Sequence, residues 1–118
     1  MKENKFRAWD KVPYFDDEEP KREMIYFDLY ETRKIENLSL EAVEMQYTGL
    51  KDKNGVEIYE GDIVKIVSKV TGLFTKGKVV QGYGCFLVQY DWNTHLLCEF
   101  HNIEVIGNIY ENPELAGD

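Results

Sequence analysis

From residue 45 onward the chain keeps no sustained helical period. Short runs of alternating apolar and polar residues are broken by glycine instead, notably Gly72, Gly77, Gly82 and Gly84. Runs of this length with Gly-bearing connections describe short antiparallel strands in a small barrel or sandwich. Asn54-Gly55, between β-type flanks, predicts a tight turn because both residues tolerate positive φ. Glu60-Gly61-Asp62 marks a second turn, leading into Ile63-Val64-Lys65-Ile66-Val67. There the row Val64, Ile66 and Ser68 is the expected core face, with Ile63, Lys65 and Val67 opposite. Further strands are expected over residues 75–80, 85–90 and 104–110. Between residues 95 and 101 the alternation of Leu96, Cys98 and Phe100 against His95, Leu97, Glu99 and His101 reads as one more.

The N-terminal third reads differently. Phe6, Ala8 and Asp10 alternate with Lys5, Arg7 and Trp9, which predicts a strand carrying an aromatic on each face and docking between two surfaces. Residues 13–21 contain Pro13, Pro20 and the acidic run Asp16-Asp17-Glu18-Glu19, expected to form a solvated loop. A strand is expected over residues 24–30, and Ser39 is placed to cap one brief helical turn before a period-two pattern resumes at Val43. At the far end, Asn112 with Pro113 behind it suits a single helical turn. The 118 residues suffice for one domain: an extension over 1–44, a β core over 45–110 and a tail over 111–118.

Three blocks carry a resemblance. They are Lys5-Phe6-Arg7-Ala8-Trp9-Asp10, then the stretch from Met45-Gln46-Tyr47-Thr48-Gly49 through Asn54-Gly55 to Glu60-Gly61-Asp62-Ile63-Val64, and then Ile103-Glu104-Val105-Ile106-Gly107-Asn108-Ile109-Tyr110-Glu111-Asn112-Pro113-Glu114-Leu115. In order and spacing they resemble the YopX protein family. The resemblance implies a small protein of bacteriophages and prophages of chiefly Gram-positive hosts, mostly β, with an SH3-like barrel. It also implies no assigned activity and no catalytic residues, so no site residue follows from it. Residues 81–102 lie outside the matching blocks.

Composition narrows the function. Lys+Arg 14 against Asp+Glu 22 give a formal charge of -8, which disfavours sequence-independent nucleic-acid binding. The N-terminus has no apolar run of signal-peptide length and no stretch reaches membrane-spanning length, so a soluble protein in the cytoplasm of the bacterial host is expected, with no membrane partner and with Cys85 and Cys98 as reduced thiols. Cys85, His95, Cys98 and His101 have zinc-type chemistry. On a strand, however, Cys98 points away from His95 and His101, and no paired C-x-x-C is present, so packed thiols and surface imidazoles are the expectation. No P-loop, dinucleotide fingerprint or nucleophile motif accompanies the available carboxylates, and neither catalysis nor a cofactor is expected.

Two surfaces remain. Between residues 61 and 80 the bases are Lys65, Lys69, Lys76 and Lys78 against the lone acid Asp62, and with Phe74 they form the one candidate nucleic-acid face. The bland reading of the same lysines is protection of exposed strands against aggregation. Phe6, Trp9 and Trp92 are the candidate protein interface, since Trp combines large buried area with a polar handle. The acidic run is read as a solubilising loop ahead of a mimic of phosphates. The expected function is thus a non-enzymatic phage or prophage accessory protein acting as a self-associating interaction module, a homo-oligomer that also contacts a host or phage protein. The alternative is a nucleic-acid-associated regulator using the lysine face.

Overall fold

A computed structural model describes residues 5–10, 23–28, 42–90 and 92–116. The chain divides into two compact units, Met1–Tyr47 and Thr48–Asp118. The expected loop over 13–21 lies outside the described residues, as do Ser39, Leu40 and Glu41 at the start of the helical turn expected over 40–44, whereas Val43 and Glu44 are strand.

In the first unit, β1 (Lys5–Asp10) is the middle strand, antiparallel to both β2 (Glu23–Asp28) and β3 (Val43–Lys51). Phe6 sits opposite Phe27 in register and their rings stack with centroids 5.8 Å apart. Arg7, Ala8 and Trp9 are buried in succession, so both faces of β1 are covered, as its paired aromatics predicted. On β3 the buried residues are Met45 and Tyr47, two apart, and the ammonium of Lys5 lies 5.7 Å from the centre of the Tyr47 ring.

The second unit holds the end of β3, β4 (Glu57–Tyr59), and a five-stranded antiparallel sheet of β5 (Asp62–Val67), β6 (Phe74–Gly82), β7 (Cys85–Tyr90), β8 (Asn93–Leu96) and β9 (Glu104–Asn108). The spatial order is β8-β7-β6-β5-β9. Val64 and Ile66 of β5 join Ile58, Val79, Val88, Tyr90, Leu97, Phe100 and Ile103 in one core. The fully buried Val and Ile side chains among these each contribute about 1.5–3 kcal/mol by leaving water. Gly77 lies opposite Val64 within this layer, and a Cβ there would collide with the Val88 side chain, so only glycine fits.

The protein is therefore mainly β, in two antiparallel sheets. The region expected to form a barrel is shared between these sheets, and the five-stranded ladder ends at β8 and β9 instead of closing on itself. Two local readings are corrected. The alternation over 95–101 is not one strand: β8 stops at Leu96, and a 3-10 turn over Leu97–Glu99 follows, with the Phe100 N–H donating to the Leu97 carbonyl at 3.2 Å. That turn buries Leu97 and Phe100, three residues apart, where strand geometry would have buried alternate residues. The Asn54-Gly55 turn exists, but only Gly55 has positive φ, at 82°. The Gly55 N–H donates to the Asp52 carbonyl and the Asp52 N–H to the Val56 carbonyl, which makes a three-residue loop with its glycine last. The C-terminal turn α1 (Pro113–Ala116) starts with Pro113 as expected, and no described helix is long and apolar enough to cross a membrane.

Candidate interaction surface

On the side of the five-stranded sheet opposite the Val64 and Ile66 row, Lys65 pairs with Lys76, Ile63 with Lys78 and Val67 with Phe74, so these six residues share that side. Ile63, expected away from the core, is nevertheless buried, beside the register shift between Ile63 and Val64. Two lysines directly opposite each other repel. The Lys65 ammonium settles 4.6 Å from the centre of the Phe74 ring, and the Lys76 ammonium donates to the Leu115 carbonyl at 3.1 Å. Glu104, across β5 from Lys65, has its carboxylate 3.4 Å from the Lys53 ammonium. The structure thus brings four of the five sequence-derived face residues together: Lys65, Lys76, Lys78 and Phe74. Lys69 stands apart in the following turn, its ammonium donating to the Glu99 carbonyl at 3.0 Å and lying 5.1 Å over the Phe100 ring.

That turn, residues 68–73, is built by Ser68. Its hydroxyl accepts the N–H groups of Val70 and Thr71, and its own backbone N–H donates to the Leu73 carbonyl. The polar atoms are used internally, and the apolar side chains are left outside: Val70 is 71% exposed, Leu73 70% and Phe74 60%. Sequence alternation did not single out Val70 and Leu73, because nothing in a turn marks an apolar residue as unburied. A cavity of about 240 Å³ opens between Val67–Lys69 and Glu99–Asn102. Its size suits one side chain rather than a whole ligand, which ordinarily occupies about 300–1,000 Å³.

The antiparallel order puts the β5–β6 turn and the β7–β8 turn at the same end of the sheet. The Tyr90 hydroxyl ties them by accepting the Lys69 N–H at 2.8 Å. Trp92, in the β7–β8 turn, is fully exposed with φ 67°. Tyr83, in the β6–β7 turn at the opposite end, is also fully exposed, with φ 54° beside Gly84 at 76°. Phe6 and Trp9 are placed otherwise, in the first unit, half-buried and buried respectively.

The zinc-type residues are dispersed. Cys85 starts β7, with its thiol 3.2 Å from the Gly82 carbonyl, while Cys98 is exposed in the 3-10 turn. The His95 ring stacks on Tyr90 at 5.3 Å and meets Phe100 edge-on at 6.2 Å. His101 is exposed. Among the described residues no three His, Cys, Asp or Glu side chains converge to hold a metal ion.

Asp52 is a perturbed carboxylate. Burial pushes it up, but N–H groups of Val105, Val56 and Asn54, with the Lys53 charge, outweigh that and hold it below its usual value. Oδ1 accepts from Asn54 and Val56 at 2.8 and 2.9 Å and Oδ2 from Val105 at 2.9 Å, so its task is to join the β3–β4 turn to β9. Asp62 accepts the Tyr59 N–H at 2.8 Å, and Asn108 accepts those of Tyr110 and Glu111 at 3.0 and 2.8 Å. These are turn-forming groups.

Comparison with known proteins agrees with the architecture. The crystal structure of protein EF1440 from Enterococcus faecalis is similar to this chain at 30% identity, covering 96% of this chain and 97% of that one, with a TM-score of 0.58. No curated protein matches the chain. The family model described as YopX protein matches residues 5–116, nearly the whole length, and the chain belongs to that family.

Proposed function

We propose that the protein is a non-enzymatic interaction module, a phage or prophage accessory protein in the bacterial cytoplasm that associates with itself and with a host or phage protein. Its frame is an open variant of the SH3-like barrel, and its contact surface is the β5–β6 end of the second unit. The observation that carries this reading is the run Val70, Leu73 and Phe74, exposed together where a self-sufficient small domain would cover them. The N-terminal strand is a weaker candidate for the contact. The chain's own β2 and β3 occupy both edges of β1, and Trp9 is buried. Sedimentation of the intact chain tests self-association, and a Leu73→Ser/Phe74→Ser variant tests the location. Association that survives this variant places the contact elsewhere.

A second reading is favoured by the Lys65 ammonium over Phe74, an aromatic-cationic pairing that single-stranded nucleic acid also uses. It predicts binding of single-stranded DNA or RNA that falls steeply with salt and disappears in a Lys65→Ala/Lys76→Ala/Lys78→Ala variant. Absence of binding at low salt removes it.

A further inference from the structure

Resting on the self-association reading, we infer that the β5–β6 end receives the acidic segment of residues 13–20 from a second copy of this chain. A surface that is both apolar and cationic selects an occupant with apolar anchors and acids side by side. The apolar part is Val67, Leu73 and Phe74, beside a cavity sized for a single side chain. The cationic part is Lys65 and Lys76 on the sheet face and Lys69 at the cavity, where Glu99 is the acid present. Within this sequence the run Pro13-Tyr14-Phe15-Asp16-Asp17-Glu18-Glu19-Pro20 has that composition: two adjacent aromatics followed by four consecutive acids.

Charge decides between occupants. The chain carries -8, so two copies repel unless their contact brings opposite signs together, and the lysine-bearing end is where it can accept an acidic segment. An aromatic of that segment fills the cavity as an anchor, and the acids following it meet the ammonium groups. The two halves of such a contact are different patches, so two copies either exchange segments reciprocally in a closed dimer or join head-to-tail.

The experiment is sedimentation of the full chain and two variants. One neutralises the acids, as Asp16→Asn, Asp17→Asn, Glu18→Gln and Glu19→Gln, and the other is Leu73→Ser/Phe74→Ser. Both sets avoid the described core, and circular dichroism confirms that the variants fold; Lys65→Gln/Lys76→Gln replaces the second if it does not. The intact chain is expected to associate more weakly at about 0.5 M than at about 0.05 M salt. Each variant alone weakens association at least about tenfold. An equimolar mixture of the two recovers a dimer, because one supplies an intact segment and the other an intact surface, and growth stops there. A monomeric intact chain at every concentration overturns self-association itself. Association that ignores both variants, or a mixture that stays monomeric, overturns this contact and leaves the self-association reading standing.

Discussion

The turns of the second unit are of two kinds. At residues 52–56, 59–62 and 108–112 a side-chain oxygen of Asp52, Asp62 or Asn108 grips backbone N–H groups, and all three of these residues are buried. At 68–73, where buried Ser68 grips the backbone in the same way, and at 83–84 and 92, the turns carry exposed apolar or aromatic side chains: Val70, Leu73, Tyr83 and Trp92. The first kind lies inside the blocks that carry the family resemblance, and Tyr83 and Trp92 lie outside them. In those blocks the side chains of Asp52, Asp62 and Asn108 are committed to the backbone.

If that division is right, breaking a grip costs far more than changing an exposed tip. The largest effect is expected for Asp52→Ala. It strands the N–H groups of Asn54, Val56 and Val105 in a half-buried place, at about 3 kcal/mol, a fall in melting temperature of roughly 10 °C or more. The same carboxylate sets an acid limit. Its folded pKa lies below the unfolded value of about 3.9, so its contribution is complete above that pH and is lost as pH falls through the folded value. Asp52→Asn should flatten stability against pH in that acid window, and an unchanged profile would show that another carboxylate governs it.

Asn108→Ala follows. The amide oxygen holds the N–H groups of Tyr110 and Glu111, and its NH2 donates to the Glu111 carboxylate at 2.8 Å. The loss should be about 2 kcal/mol, below that of Asp52 because the main acceptor is neutral. Denaturant midpoints with unchanged slope would measure it. Equal losses at the two sites would mean that the charge on Asp52 adds nothing.

Gly55→Val is next, at about 1 kcal/mol or more. A Cβ at Gly55 meets no atom within 4 Å, so the effect is the backbone strain of a β-branched residue at φ 82°. A melting temperature equal to that of the parent would contradict the turn geometry.

These differences also explain which parts were legible in the sequence. The core row Val64, Ile66 and Ser68 was readable because a strand repeats every two residues and these three are all buried. The same logic failed from Leu97 to Phe100, where the backbone tightened into a 3-10 turn and the spacing of buried residues became three. The Asn54-Gly55 turn was legible as a turn. Its type was not, because the deciding group is the Asp52 carboxylate two residues earlier. On the surface, Lys65, Lys76, Lys78 and Phe74 share a face for the same period-two reason, while Lys69 sits past the strand end and follows the turn. Val70 and Leu73 were invisible as contact residues, since only the fold decides whether an apolar residue in a turn finds cover.

The smallest effect should have the opposite sign. Gly82 pairs with Cys85, so Tyr83-Gly84 is a two-residue hairpin loop with both residues at positive φ, a geometry in which Asn-Gly is the preferred pair. Tyrosine at φ 54° is strained, and a fully exposed ring recovers nothing by packing within this chain. Tyr83→Asn should therefore stabilise the protein by about 0.5 kcal/mol, through better turn chemistry and no lost burial. A fall in stability would show that the ring has cover that its exposure denies. Because Tyr83 lies at the end of the sheet opposite Phe74, the same variant should leave self-association unchanged. Weakened association with raised stability would instead make Tyr83 a contact residue, held in strain for that purpose, and would extend the interaction surface to both ends of the sheet.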